Sequence, residues 1–446
     1  MHSSSTTGSP HGLVVPRPSF TGEQQHAPAV RNTGRVPSSL PDGDPVPADG
    51  SLPDQAYVGM ADRTLSVYLH VPFCATRCGY CDFNTYTAGE LGAAASPQSW
   101  FDAALAEIDL AAKVLAASGS RKVATVFVGG GTPSLVGAGP LTGLLAAVRD
   151  RIGLHPDAEV TTEANPESTD QRLLAELRAA GFTRLSLGLQ STSPAVLRIL
   201  ERTHTPGRAL EVVGWARQAG FEHVNLDLIY GTPGETDDEF VASLRAAAVS
   251  GADHVSAYSL IVEPGTRLAR QVRTGALPMT DDDVLADRYL LAENELTGAG
   301  LQWYEVSNWA ANDVARCRHN LAYWTGGDWW GIGPGAHSHV GGVRWWNVKH
   351  PAAYAGAIAA GRSPGHAREV LDPAQRRLED ILLRLRLVDG LPVGLLSDAG
   401  RTHATAAAEQ ELLQPDQLAA GRAVLTVTGR LLADGLALRL AEEPAE

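Results

Sequence analysis

The chain has 446 residues, 44% of them hydrophobic, and its 36 Lys and Arg stand against 50 Asp and Glu for a formal net charge of −14. That is enough apolar material for one or two domains with a large core, and the acidic balance argues against sequence-independent nucleic-acid binding, which needs a basic surface facing phosphates. No apolar run reaches the ~18 residues of a membrane helix and no charged-then-apolar leader opens the chain, so a soluble cytoplasmic protein is expected.

Residues 1–60 are rich in Ser, Pro, Gly and Asp and poor in large apolar residues, the composition of a disordered tail. From Leu65 short β-rich runs alternate with helical patterns. The expected strands are Leu65–His70, Val123–Val128, Val160–Glu163, Leu185–Gln190, Val224–Ile229 and Val255–Ile261, each bounded by Gly, Pro or Asn. Between them, Ser96-Pro97 opens a helix, Gly181 and Gly220 close two others, and Thr236 with Glu239 forms a capping box. Six βα units in series imply a parallel sheet. A closed barrel needs eight. Six give an open, partial (β/α)6 barrel over residues 61–290, with a flat doubly wound sheet as the alternative of the same local pattern.

After about residue 290 the alternation fades. Residues 291–371 are crowded with tryptophan and glycine and are expected beside a ligand. Residues 372–446 return to a helical pattern at Asp372-Pro373, with Leu378, Ile381, Leu382 and Leu385 on one face. Leu425–Leu440 reads as a helix-turn-strand unit. A small C-terminal helical or winged domain is expected, and its excess of acidic over basic side chains favours a packing or lid role over DNA binding.

Only four cysteines are present, and Cys74, Cys78 and Cys81 fall within eight residues. That is no disulfide framework. Their loop follows the first strand directly, at the C-terminal end where parallel α/β folds place active sites. Thiolates hold iron–sulfur clusters, and this loop can supply three ligands to one [4Fe–4S] cubane, leaving a fourth iron open for the amino and carboxylate groups of S-adenosylmethionine. A zinc site with His70 or Cys317 as fourth ligand is the structural alternative. Gly129-Gly130-Gly131-Thr132-Pro133 after the second strand lets a backbone approach a ligand closely, or makes a tight turn. Glu163, Gln190 and Asp227 stand at or near later strand ends, with Arg202 just beyond. Buried polar groups there need partners, supplied by a ligand or by each other.

These residues, Tyr68 with Cys74-x-x-x-Cys78-x-Tyr80-Cys81, Gly-Gly-Gly-Thr-Pro, Glu163-Ala-Asn-Pro, Leu-Gly-Leu-Gln190-Ser and Leu-Asp227-Leu-Ile-Tyr-Gly231, resemble the radical SAM proteins and, more narrowly, the oxygen-independent coproporphyrinogen III oxidase family, from about Leu65 to near the C-terminus. The resemblance implies that Tyr68, Tyr80, Gly130, Gly131, Thr132, Glu163, Gln190, Arg202, Asp227 and Ile261 contact S-adenosylmethionine. It also implies that a reduced cluster passes one electron to the sulfonium, chemistry that belongs to the cofactor pair while the protein orients and shields it.

Two features point to one branch. The oxidases themselves resemble Cys-x-x-x-Cys-x-x-Cys-x-Cys, whereas Asp82-Phe83 follows Cys81 here. The run His319-Asn320-Leu-Ala-Tyr323-Trp324, followed by Gly331-Ile-Gly333-Pro-Gly335-Ala-His337, is similar to the HemW branch, whose members bind heme and look like heme-transfer chaperones. That resemblance implies heme near His319, Tyr323 and Trp324, with imidazole as axial ligand, or Cys317 as an alternative thiolate. It also implies delivery to an acceptor hemoprotein, such as a membrane-bound respiratory enzyme reached by transient membrane association, from a chain that is a monomer or a dimer. An oxidative decarboxylase of coproporphyrinogen and a binding module with a structural metal are the competing functions.

Overall fold

Near-continuous apolar runs form strands buried on both faces, and the helical repeats between them force parallel crossovers. The computed structural model describes residues 42–91, 95–119, 121–203 and 205–443. Six parallel strands appear in the expected order: β1 (Leu65–Val71), β2 (Val123–Gly130), β3 (Leu154–Ala164), β4 (Arg184–Gln190), β5 (His223–Tyr230) and β6 (His254–Ser259). The crossovers start and stop where local chemistry dictates. Ser96 and Ser99 make a reciprocal capping box on the helix Pro97–Leu115, Thr236 and Glu239 make another on Asp237–Val249, and Gly181 and Gly220 close their helices in the left-handed conformation.

The sheet remains an open, partial barrel because β1 and β6 do not pair with each other. Each instead recruits a further strand from residues 291–371. At one edge β7 (Gln302–Glu305) and β8 (Asn308–Ala310) add antiparallel to β6. At the other, β9 (Asp328–Ile332) runs parallel to β1 and leads into the antiparallel β10 (His337–Val340), β11 (Val343–Asn347) and β12 (Gly365–Val370). The tryptophan-rich region is therefore a two-sided extension of the barrel sheet, twelve strands in all. Its sequence signal was Gly341-Gly342, a two-residue hairpin turn between Val340 and Val343 with both glycines at positive φ.

Two expectations need correction. Residues 1–41 of the supposed tail lie outside the described residues, but residues 42–60 are ordered. Asp44 exchanges two backbone hydrogen bonds with Arg368 of β12, at 2.7 and 2.8 Å, and Ala56 and Met60 are buried in the main core. A few apolar side chains suffice there because the segment covers an existing sheet edge and needs no core of its own. The fading alternation after residue 290 gives way to mostly antiparallel strands of three to six residues. Leu425–Leu440 is not helix-turn-strand but two short helices, Val427–Leu431 and Ala433–Leu440. Leu436, Ala437 and Leu440 share a helical face, and tertiary packing buries it.

The C-terminal helices have a core of their own, in which Ile381 and Leu385 of the expected stripe meet Leu436 and Leu440, while Leu378 is exposed. This segment still belongs to the same compact unit as the barrel. Among the described residues, no helix is long and apolar enough to cross a membrane.

Candidate functional site

The cysteine loop leaves β1 at Pro72 and is pinned from three directions. Pro72 accepts from the Tyr86 amide at 2.7 Å and Cys74 donates its amide to Tyr86 at 3.0 Å, which closes the loop's base. Gly79 donates to the Leu200 carbonyl at 3.2 Å and accepts from the Leu268 amide at 2.8 Å, tying the tip to the elements after β4 and β6. From β2, Gly131 and Thr132 donate to Val71 and Phe73 at 2.7 and 2.8 Å. Gly131 has no alternative residue type: a Cβ would lie 2.5 Å from the Phe73 carbonyl oxygen and 3.0 Å from Cys74 Sγ. The three thiols are partly exposed and unbridged. The Thr132 hydroxyl sits 3.7 Å from Cys74 Sγ, and Arg202 Nη1 donates to Cys78 Sγ at 3.5 Å.

Below the loop, alternate residues of the strands face one lumen. Tyr68 stacks on Phe127 with ring centroids 6.3 Å apart, and its hydroxyl meets His70 Nδ1 at 3.0 Å. Glu163 accepts the Gly130 amide at 3.0 Å. Asp227 accepts from Ser186 at 2.9 Å and Asn225 at 2.8 Å. Burial, and then the Asp227 carboxylate, push the Glu163 carboxyl up to about 8; burial also raises Asp227, against its hydrogen bonds and Arg202. Two carboxyls short of positive charge, a buried Arg202 Nε without a partner, and Gln190 held at φ 63 beside a register shift in β4 are costs a folded chain avoids. They converge on one spot under the three thiols.

Of the expected nucleoside contacts, Tyr68, Gly130 and Glu163 line a single cavity of about 1040 Å³, together with Tyr323 of the expected heme set. Tyr80 packs into a side cluster with Leu200, Ile229 and Leu260, next to Arg202. Ile261 is exposed just beyond β6.

The zinc alternative finds no fourth ligand. His70 spends its second nitrogen, Nε2, on the Asn84 carbonyl at 2.9 Å. Cys317 is buried far down the lumen, with Sγ 3.5 Å from Glu159. Burial first, and the Glu159 charge next, raise that thiol well above the usual range, so it is no ready thiolate. No three His, Cys, Asp or Glu side chains among the described residues converge closely enough for a single ion.

His319 also departs from expectation. The helix Arg318–Trp324 is seated against the starting ends of the strands, where Glu159 of β3 accepts its first two amides at 3.1 and 3.0 Å and pairs with buried Arg184 at 3.1 Å. His319 is buried, with Nδ1 at 2.7 Å from the Thr125 hydroxyl, Nε2 at 2.8 Å from the Tyr323 hydroxyl, and its ring stacked on Phe127. Neither nitrogen is open to a metal, because the polar lumen uses both. Of the His319, Tyr323 and Trp324 set, only Tyr323 reaches the cavity. Residues of β9–β11, including Trp329, His337 and Arg344, also line the cavity.

A model of the radical SAM superfamily matches residues 68–247. The chain is 55% identical over 377 residues to the heme chaperone HemW of Mycobacterium tuberculosis (strain ATCC 25618 / H37Rv), an alignment that covers 84% of this chain and 95% of the relative. The chain belongs to the HemW family. The HemW of Escherichia coli (strain K12) is 37% identical over 334 residues, 74% of this chain and 84% of that one. The solved coproporphyrinogen III oxidase (HemN) of Escherichia coli superposes with a TM-score of 0.74 at 24% identity, covering 87% of this chain and 92% of its own, a likeness of fold alone. For a HemW-family chain, the radical SAM match spans the cysteine loop and the lumen residues up to Asp227, the part whose geometry converges on the orphaned polar atoms.

Proposed function

We propose that this HemW-family chain is a heme chaperone that binds a [4Fe–4S] cluster, S-adenosylmethionine and heme, and passes heme to an acceptor hemoprotein. Cys74, Cys78 and Cys81 hold the cluster. A partly exposed loop, an adjacent guanidinium and a glycine that admits Cys74 Sγ at close range all fit three thiolates. Glu163 and Asp227 supply the negative charge that a cationic sulfonium requires, and Arg202 supplies a donor for a carboxylate. Tyr68, Tyr80, Gly130, Gly131, Thr132, Gln190 and Ile261 complete the nucleoside site. When bound, the reduced cluster offers one electron to the sulfonium; this chain's residues orient the pair and exclude water.

The observation that carries the heme reading is the continuity of the 1040 Å³ cavity. It begins at Glu163 and Gly130 under the cysteine loop and continues without a wall to Trp329 and the β10–β11 hairpin. A volume at the upper end for ligand sites leaves room beside a nucleoside for a flat macrocycle. Asp82 and Phe83 line the mouth where an oxidase would carry its further cysteine. Tyr323 contributes an aromatic wall, while His319 reaches iron only if its bond to Tyr323 opens. The acceptor we favour is a membrane-bound respiratory enzyme, approached without a membrane helix.

Heme titration of the anaerobically reconstituted protein tests this reading. Saturable binding at one heme per chain, and transfer to an apo-hemoprotein, are expected. Conversion of coproporphyrinogen to protoporphyrinogen by the reduced, S-adenosylmethionine-loaded protein would overturn it in favour of the decarboxylase.

A further inference from the structure

The cavity wall contains three histidines, His70, His337 and His339. Two are spent. His70 bonds the Tyr68 hydroxyl and the Asn84 carbonyl, and His339 bonds the Gly327 carbonyl at 3.0 Å through Nδ1 and accepts the Gly342 amide at 3.1 Å through Nε2. His337, at the start of β10, is exposed to the cavity. Its ring stacks on Trp346 with centroids 6.1 Å apart and planes 25° apart. Among the described residues, neither of its ring nitrogens has a hydrogen-bond partner. The stack fixes the ring without consuming a lone pair.

The cations of the wall sort in the same way. Arg63 pairs with Asp328 at 2.8 Å, Arg77 with Glu90 at 3.4 Å, and Arg344 with Glu369 at 2.8 Å and with Glu379. Lys349 and Arg376 have no carboxylate partner among the described residues, and Arg376 donates only to the Gly341 carbonyl. Exposed Lys349 and half-buried Arg376 therefore offer the cavity two cationic groups that no carboxylate neutralises, a place for anions. One uncommitted imidazole, two cations without a carboxylate partner and aromatic walls from Trp329 and Tyr323 match the three polar features of heme, one iron and two propionates.

We propose that His337 is the axial ligand to heme iron and that Lys349 and Arg376 receive the propionates. The assignment rests on the heme reading above and deepens it. It leaves His319 as a positioning residue, which holds the Tyr323 hydroxyl from inside the lumen.

The test is a hemin titration of the anaerobically reconstituted full chain, read by absorption and by the electron paramagnetic resonance signature of the iron's axial ligand. His337→Ala should lose the histidine signature and bind hemin roughly tenfold more weakly or worse, while retaining wild-type iron–sulfur content and circular dichroism. Added imidazole should restore a histidine-type signature. Lys349→Gln and Arg376→Gln should each weaken binding with the axial signature unchanged. His319→Ala should retain that signature. If His337→Ala keeps the wild-type signature, or His319→Ala alone loses it, the assignment is overturned while the chaperone reading stands. If the wild-type chain binds no heme, both fall.

Discussion

Replacing Gly131 with alanine isolates the contact that admits Cys74 to its place. The added Cβ would lie 2.5 Å from the Phe73 carbonyl oxygen and 2.9 Å from its carbon, whereas ordinary contact begins at 3.4 Å, so a segment must yield by about 0.9 Å. The obstacle is backbone and cannot rotate away. Both sides are also pinned, because Gly131 donates to Val71 at 2.7 Å and Thr132 donates to Phe73 at 2.8 Å. Overpacking of this kind costs about 1–3 kcal/mol. The cysteine loop is the softer partner, so the strain falls on Cys74, and cluster binding should weaken roughly fivefold to a hundredfold. Iron and sulfide per chain after anaerobic reconstitution, with a chelator challenge, measure the effect. Gly139→Ala, where a Cβ meets nothing within 4 Å, is the control and should match wild type. A Gly131→Ala protein with the same iron content and chelator resistance as wild type would refute the argument that this approach positions the ligand.

Glu163, pushed up to about 8, is mostly protonated at pH 7 in the ligand-free chain. A cationic sulfonium should ionise it, so Glu163 should release close to one proton on S-adenosylmethionine binding at pH 7 and little at pH 9, in addition to the proton the amino group loses as it ligates iron. Calorimetry in buffers of different ionisation enthalpy reads the total, and Glu163→Gln should lower the release at pH 7 by close to one proton. Burial lowers His319 from 6.5 to about 4. A depressed imidazole means that the unfolded chain binds the proton first. Stability should therefore fall as pH drops from 6.5 to 4 and level off below that, by an amount of order 3 kcal/mol from this group. His319→Gln should flatten that slope in denaturant titrations, and an unchanged slope would contradict a neutral buried ring. Arg184→Met should cost about 3–5 kcal/mol, because it leaves the buried Glu159 carboxylate uncompensated, and it also removes the donor to the Ala315 carbonyl at 2.8 Å. An equal denaturation midpoint would show that Glu159 is not carrying charge.

The cysteine triplet, the glycine run and the strand-end polar residues were legible because each sits within a few residues of a strand end, and a parallel βα repeat delivers every such end to one rim. Five of the six core strands appeared within two residues of their expected bounds, with β3 starting six residues early, for the same reason: apolar runs and caps are local signals. The orientation of His319 was not legible for the opposite reason. Spacing in His319–Trp324 says that His319 and Tyr323 share a helix face, and they do, with a hydrogen bond of 2.8 Å. It cannot say that this face is turned into the barrel.

By itself the sequence determined the order of the barrel strands, the loop that bears the three thiols, and the charge types gathered beneath it, since these follow from periodicity and short-range chemistry. Only the tertiary structure decided that the tryptophan-rich segment extends both edges of the sheet and that residues 42–60 are held at its edge. It alone showed that His337, Lys349 and Arg376 line the same cavity as Glu163. Strand pairing between residues more than two hundred positions apart depends on which edges remain open after the core has formed, and no local pattern encodes that.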